Sequence, residues 1–372
     1  MAALPETVLQ FGTGKFLRGF ADLFIHQANQ EGQAVGRVVA VQATGAERAR
    51  LINAQGGRYH VLVRGLHEGQ VVDRVEESAS LSRALVAAEQ WPEILAVARS
   101  PDLRILLCNT AEAGYTLDPS DTPDRAPPHS FPAKLLLLLR ARYEAGLPGL
   151  TVLPCELFER NADLLRGILH KLADAWDAPP AFRAWLDTAC TWHNTLVDRI
   201  VAVPSAADPR PAGDALAVVA EPFAFWAVEV KNDQAAPFRH PALRTTPDVN
   251  PFFLRKVRIL NAAHTAMIAR ARPKGVRTVL EAMRDPEIAG WLERLLFEEI
   301  LPVLEGRVED GEGFARQTLE RFRNPFLEHK MSDIAVYHEQ KVRIRLVPTR
   351  DEYAAKFGRQ PPLLNEAIGG AA

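Results

Sequence analysis

The feature that most constrains this chain lies at its start. Thr7-Val-Leu-Gln-Phe11 reads as a short buried strand and runs directly into Gly12-Thr-Gly14. Lys15-Phe-Leu-Arg-Gly-Phe-Ala-Asp-Leu-Phe-Ile-His-Gln-Ala28 then carries apolar residues at helical spacing. Strand, glycine turn and helix in immediate succession is the setting a dinucleotide site demands. Gly12 makes the turn, Gly14 lets the backbone approach a pyrophosphate, and the helix start supplies free N–H groups and a positive dipole end. Leu17 stands where a third glycine of G-x-G-x-x-G would fall, so a strand-to-helix turn without a ligand stays open.

Beyond this segment strands and helices alternate. Arg37 to Gln42 reads as a second strand, Leu81 to Arg99 as helix divided or restarted at Pro92, and Leu103 to Cys108 as another strand. That strand ends in Asn109-Thr-Ala-Glu-Ala-Gly114, a polar loop at the edge where ligands of doubly wound sheets bind. Lys134 to Gly146 reads as a crossover helix, and Leu150 to Pro154 as a further strand. Leu216 to Ala220 and Phe223 to Val230 read as strands extending this domain, with Pro204 to Gly213 a surface loop. Pro237, Pro241, Pro247 and Pro251 mark a linker. Beyond it Thr278–Met283, Glu287–Leu301 and Gly313–Phe322 have helical character, and Gly369-Gly-Ala-Ala372 reads as a disordered tail. The expected fold class is α/β: a Rossmann-type doubly wound domain over 1–248, then a mostly α-helical domain over 249–372 that carries substrate and catalysis.

Just past the linker lies Lys256-Val-Arg-Ile-Leu-Asn-Ala-Ala-His-Thr265. Lysine, amide and imidazole are the groups needed to move a proton to or from a carbinol while holding its oxygen. At about 100° per residue, Asn261 falls roughly 140° and His264 roughly 80° from Lys256 around an α-helix, so all three can line one wall. An ordinary amphipathic helix with a solvated lysine is the alternative.

Composition agrees with a soluble enzyme. With 372 residues, 47% of them apolar, and a formal net charge of −2, the chain can bury two cores and gives no nucleic-acid partner to expect. No apolar run is long enough for a membrane span, and Met1-Ala-Ala-Leu-Pro-Glu6 lacks the form of a secretory signal. Cys108, Cys155 and Cys190 are too few and scattered for a disulfide framework, which suits the cytoplasm. The ten histidines show no closely spaced ligand pair, so no metal site is expected.

Several segments together resemble the mannitol dehydrogenase family, the polyol-specific long-chain dehydrogenases. They are Gln10-Phe-Gly-Thr-Gly-Lys-Phe-Leu-Arg18, Asn109–Gly114, Leu153-Pro-Cys-Glu-Leu157 with Arg160-Asn161, Asn194-Thr-Leu-Val-Asp-Arg-Ile200, Glu221-Pro-Phe223, the Lys256–His264 stretch and Arg321-Phe-Arg-Asn-Pro-Phe326. The resemblance implies NAD as cofactor, no zinc, and a small sugar acid or polyol as substrate. It implies Lys256 as general acid and base, with Asn194 and Asn261 donating to the reacting oxygen and His264 orienting the substrate. Gly12, Gly14, Lys15, Phe16, Gln42, Asn109, Thr110 and Glu112 would hold the cofactor. A free lysine titrates near about 10.4, so a lysine in this role must be lowered by burial or by neighbouring cations such as Arg255 and Arg258. Asp198–Arg199 is expected to be a structural ion pair.

Two departures bear on the substrate. Mannitol-oxidising members carry an acidic residue where this chain has Phe253, and Glu-Asp where it has Glu229-Val230. The form seen here is the hexuronate type, so the expected reaction interconverts a keto-hexuronate and its aldonate. A neutral ketose or polyol as substrate, and a non-catalytic dinucleotide-binding protein, are the competing readings. Arg199, Arg255, Arg258, Arg323, Lys330, Lys341 and Arg343 are the cations available for a substrate carboxylate. Gln42-Ala-Thr-Gly45 has no carboxylate for a ribose 2′-OH, and Arg48 is near enough to meet a 2′-phosphate, so the residues alone leave NAD and NADP open. Monomer and dimer both stay open.

Overall fold

Five of the six side chains of β1 (Glu6–Phe11) are buried, as a strand covered on both faces requires. The computed structural model describes residues 4–206, 208–231 and 234–369, save the side chain of Glu112. Residues 1–3 and 370–372 lie outside the described residues; of the tail read as disordered from Gly369, Gly369 itself closes the helix Pro362–Gly369. After β1 come β2 (Arg37–Gln42), β3 (Tyr59–His67), β4 (Gln70–Ser78), β5 (Leu81–Val86), β6 (Ile105–Cys108), β7 (Thr151–Pro154) and β8 (Thr191–Trp192). Six of these form a parallel sheet in the order β5-β2-β1-β6-β7-β8, in which Leu9 pairs with both Val39 and Leu106. Counting only those six, the order is that of a doubly wound dinucleotide-binding sheet, and it reverses between β1 and β6. The helix Phe131–Glu144 buries Leu135, Leu136, Leu138 and Leu139 in the core of this unit, and Ser130 caps its start through Ala133 N.

Several local expectations give way. Leu81–Val86 is strand β5 rather than helix, with Leu85 opposite Val41. A short apolar run does not separate a buried strand from a buried helix, and here pairing with β2 decides. Pro92 then sits in the first turn of the helix Trp91–Ala98, where its missing N–H costs nothing. The helix read over Lys15–Ala28 is broken into Lys15–Arg18 and Ala21–Gln30. Gly19 lies at the break, and a Cβ there would come within 2.9 Å of Val201. Close packing against that valine therefore overrides the helical spacing.

The remaining strands are β9 (Thr195–Asp198), β10 (Val201–Ala202), β11 (Val218–Ala220), β12 (Phe225–Glu229) and β13 (Leu243–Thr246). β11 and β12 do not extend the large sheet. They belong to two smaller ones, ordered β10-β11-β3-β4 and β13-β12-β9. The proline-spaced linker contains β13, which pairs parallel to β12 with Trp226 opposite Leu243.

The residues cluster into two compact units. The first comprises Met1–Leu62, Val75–Ala220 and Ala224–Val249, and the second Val63–Arg74, Glu221–Phe223 and Asn250–Ala372. The second unit is helical, with Met267, Trp291, Leu295, Ile300 and Phe322 in its core. Inside it Arg321 forks onto Glu221 at 2.7 and 2.9 Å, both side chains being 1% exposed. No helix among the described residues is long and apolar enough to cross a membrane.

Candidate active site

A cavity of about 520 Å³ lies in the first unit at the C-terminal ends of β1, β2 and β6. Gly12, Gly14, Gln42, Asn109 and Thr110 all line it. Gly12 has φ +123°, and a Cβ there would meet the Asn109 carbonyl at 2.8 Å, so glycine is required twice over. At Gly14 nothing stands within 4 Å of where a Cβ would be, which leaves its backbone open to a close-lying group. The Asn109 amide donates to Cys155 O at 2.8 Å, and Thr110 N and Oγ1 donate to Glu156 Oε1 at 2.8 and 3.0 Å. Buried Glu156, with Tyr115 also on its other oxygen, thus holds the polar loop in place. This cradle fits a dinucleotide.

Other expected cofactor residues stand differently. Lys15 is exposed and Phe16 stacks on Phe20 at 4.9 Å, and neither lines the cavity. The Glu112 side chain lies outside the described residues. Gln42 uses its amide internally, donating to Thr44 O at 2.8 Å and accepting from Ala49 N at 2.7 Å. Arg48, His129 and Ser130 join the cavity wall. The single-turn helix after Gly14 offers much less dipole than a long one, so the glycine backbone carries more of this cradle's chemistry.

A second group of polar residues in this unit centres on Asn194. Its Oδ1 accepts from Ala162 N and Asp163 N, both at 3.1 Å, capping the helix Asn161–Ala175. Its Nδ2 reaches Asp163 Oδ2 at 3.0 Å and Glu229 Oε1 at 3.2 Å. Burial alone would raise the Asp163 carboxyl, but hydrogen bonds from Asn194 and Arg160 hold it below its ordinary value. Neighbouring His193 is fully buried, bonds the Glu229 carbonyl through Nδ1 at 2.7 Å, and has no partner for Nε2 among the described residues. Asp163 and Glu229 do not stand out in the sequence as partners of Asn194. His193 adjoins it, but the two carboxylates stand 31 and 35 residues away. Arg199 is buried and donates to Gly19 O at 2.8 Å.

In the second unit, Lys256 opens a π-helical stretch, Lys256–Asn261, between the helices Asn250–Arg255 and Ala262–Ala271. A π-helix turns less per residue than an α-helix, so Asn261 moves toward the Lys256 face, which corrects the angle expected for an α-helix. Such local π geometry recurs at functional sites. Lys256 is half-buried, whereas Asn261 and His264 are 8% and 6% exposed. Asn261 Nδ2 and His264 Nε2 are buried and have no hydrogen-bond partner among the described residues. His264 lies against Phe322 with ring centres 4.1 Å apart. Burial first, then the charges of His329, Arg321, Arg345 and Lys341, push its imidazole well below its usual value, so it stays neutral. Arg258 is not a solvated neighbour of Lys256: it is buried on Thr349 and pairs with Glu352 at 3.1 Å. Arg255 lies over Phe314 at 4.5 Å and donates to Glu309 O. Arg323, Lys330 and Arg343 are exposed.

No group of His, Cys, Asp and Glu side chains among the described residues could hold a metal. Cys108 and Cys155 are buried, and burial pushes both thiols up, as suits cysteines that pack beside the cavity.

Comparison with known proteins bears on both units. Residues 6–239 match the family model described as the mannitol dehydrogenase Rossmann domain, and 248–371 match its C-terminal domain. An altronate oxidoreductase of Halalkalibacterium halodurans is 39% identical over 97% of this chain and 73% of its own length. One from Bacillus subtilis is 36% identical over 97% of this chain and 78% of its own. Among solved structures, the mannitol 2-dehydrogenase of Pseudomonas fluorescens, in ternary complex with NAD and D-mannitol, covers 100% of this chain. The chain in turn covers 79% of that enzyme, at a TM-score of 0.83 and 23% identity, a likeness of fold.

Proposed function

The chain belongs to the mannitol dehydrogenase family of NAD-dependent oxidoreductases acting on CH–OH groups, and we propose that it interconverts D-tagaturonate and D-altronate. One observation carries this reading. Directly after Lys256, a single helix bears two buried nitrogens, Asn261 Nδ2 and His264 Nε2, that have no partner among the described residues. A buried polar group without a partner costs roughly 1–3 kcal/mol, which a substrate oxygen would recover. A purely structural helix gains nothing from the arrangement.

In this reading residues 1–248 hold the cofactor and 249–372 the substrate. NADH, when bound, supplies the hydride that reduces the keto carbon. Gly12 and Gly14 give the cofactor close backbone contact, with Asn109 and Thr110 on the adjoining loop. Lys256 donates a proton to the carbonyl oxygen as negative charge develops there, and in alcohol oxidation it takes that proton back. Asn261 donates an amide hydrogen to the same oxygen, and the family resemblance gives Asn194 the part of a further donor, each worth about 3 kcal/mol in an oxyanion-hole setting. For Asn194 this requires an exchange, because Asp163 and Glu229 now accept from its Nδ2. His264, neutral, bonds a hydroxyl and fixes the sugar's orientation. Its π-helical neighbours give Lys256 and Asn261 a common face. Free, buried cysteines suit a cytoplasmic enzyme.

The test is NADH consumption with D-tagaturonate, D-fructuronate, D-fructose and D-tagatose. Fastest turnover of D-tagaturonate supports the proposal. Preference for D-fructuronate would make the chain a fructuronate reductase, preference for the neutral sugars a polyol 2-dehydrogenase, and no turnover at all a dinucleotide-binding protein.

A further inference from the structure

The second unit gathers positive charge beside the two partnerless nitrogens. Of the basic residues around His264, Arg321 is committed to Glu221 through its two-pronged ion pair. His329 stands edge-on to the His264 ring at 4.7 Å. The other two, Lys341 and Arg345, lie four residues apart on the helix His338–Arg345 and so share one of its faces. Lys341 Nζ donates to Ile334 O at 2.8 Å. Arg345 Nη1 donates to Thr265 Oγ1 at 3.3 Å. Thr265 is wholly buried, follows His264 in the chain, and donates in turn to the Asn261 carbonyl at 2.9 Å. A single hydroxyl therefore ties Arg345 to the turn that bears both nitrogens.

Direction and distance matter here. Four residues of α-helix advance about 6 Å at ~1.5 Å each, so Thr265 lies one turn beyond Asn261 on the side away from Lys256. A keto-hexuronate has its carbonyl near one end and its carboxylate at the other. If the carbonyl oxygen meets Lys256 and Asn261, the acid end extends along the helix toward Thr265 and Arg345. We propose that Arg345 recognises the substrate's carboxylate and sets the preference for a keto sugar acid over a neutral ketose. This rests on the proposed keto-hexuronate reduction and names the residue behind its selectivity. A guanidinium is the cation suited to the task, because its planar fork matches both carboxylate oxygens while an ammonium acts as a point charge. Phe322, against His264, makes part of this wall apolar and so strengthens a charge-assisted bond formed beside it.

The experiment measures kcat/KM for D-tagaturonate and D-tagatose, with NADH, in the wild type, R345Q and R345K, alongside thermal melting of each. With R345Q the acid should lose about ten- to a hundredfold, the worth of one charge-assisted bond, while the neutral ketose changes by less than about threefold. R345K should recover part of the loss. Equal falls with both substrates, or an unchanged ratio, would overturn the assignment. Should R345Q melt far below the wild type, R345K decides: an unaltered acid-to-neutral ratio in that variant also overturns it. Failure of the wild type to favour any keto sugar acid would instead sink the proposed keto-hexuronate reduction, and it would show before any variant is made.

Discussion

Asn194 and Asp163 bond each other reciprocally: the Asp163 backbone N donates to Asn194 Oδ1 at 3.1 Å, and Asn194 Nδ2 donates to Asp163 Oδ2 at 3.0 Å. The pair closes the first turn of the helix Asn161–Ala175 and leaves the amide between two carboxylates, Asp163 and Glu229. Asn194→Ala should therefore act twice. Losing the cap should cost about 1 kcal/mol of stability, read from the denaturant midpoint. Losing a donor to the reacting oxygen should lower kcat by roughly 10²–10³-fold. A variant that is destabilised yet turns over normally would make Asn194 a cap alone.

The neutral state of His264 has a consequence for pH. Its folded value lies below its ordinary one, so over that window the unfolded imidazole binds a proton that the folded one refuses. Unfolding then takes up protons, and stability rises with pH. The contribution is complete above about pH 6.5 and is lost as pH falls below it. His240, pushed down to about 4 by burial, and His193 act in the same sense. His264→Gln should flatten the decline in Tm between about pH 7 and 5 without abolishing it. An unaltered slope would show that His264 takes up its proton alike in the folded and unfolded protein.

Cofactor choice is the third expectation. No carboxylate ends β2, and Gln42 turns its amide inward on Thr44 and Ala49, while Arg48 lines the cavity. Arg48 is exposed, so its attraction for a 2′-phosphate is screened by water and salt. NADH should remain the preferred reductant. A kcat/KM for NADPH about tenfold or more above that for NADH would reverse the assignment and give Arg48 the deciding part.

For the lysine, Lys256→Ala should reduce turnover by about 10²–10⁴-fold, the usual contribution of a placed acid or base. Binding of NADH, followed by its fluorescence, should hardly change, because the cradle of Gly12, Gly14, Asn109 and Thr110 belongs to the other unit. Near-normal turnover would remove Lys256 from the mechanism.

Much of the fold and of the candidate site is legible in the sequence, for reasons of range. β1, β2, β6 and β7 are apolar runs bounded by turns, and Gly12, Gly14, Asn109 and Thr110 follow two of them directly, so short-range pattern finds the cradle. Asn261 and His264 sit within eight residues of Lys256 and share its helix. Long-range packing hides the rest. Gly19 breaks a helix because Val201 packs on it, and Leu81–Val86 becomes a strand because β2 is there to pair with. β4 escapes notice because two of its apolar residues, Val71 and Val75, are exposed at 63% and 47%. The carboxylate partners of Asn194 at Glu229 and Asp163 lie 35 and 31 residues away, and the π turn at Lys256 has no residue signature of its own.

The most direct test compares kcat/KM for D-tagaturonate with that for D-tagatose in the unaltered protein, NADH being the reductant. A site built around a carboxylate leaves buried donors and a cation unsatisfied when that carboxylate is missing, so the acid should be favoured by at least about ten- to a hundredfold. Comparable values for acid and neutral sugar would contradict the keto-hexuronate assignment and leave only membership of the family.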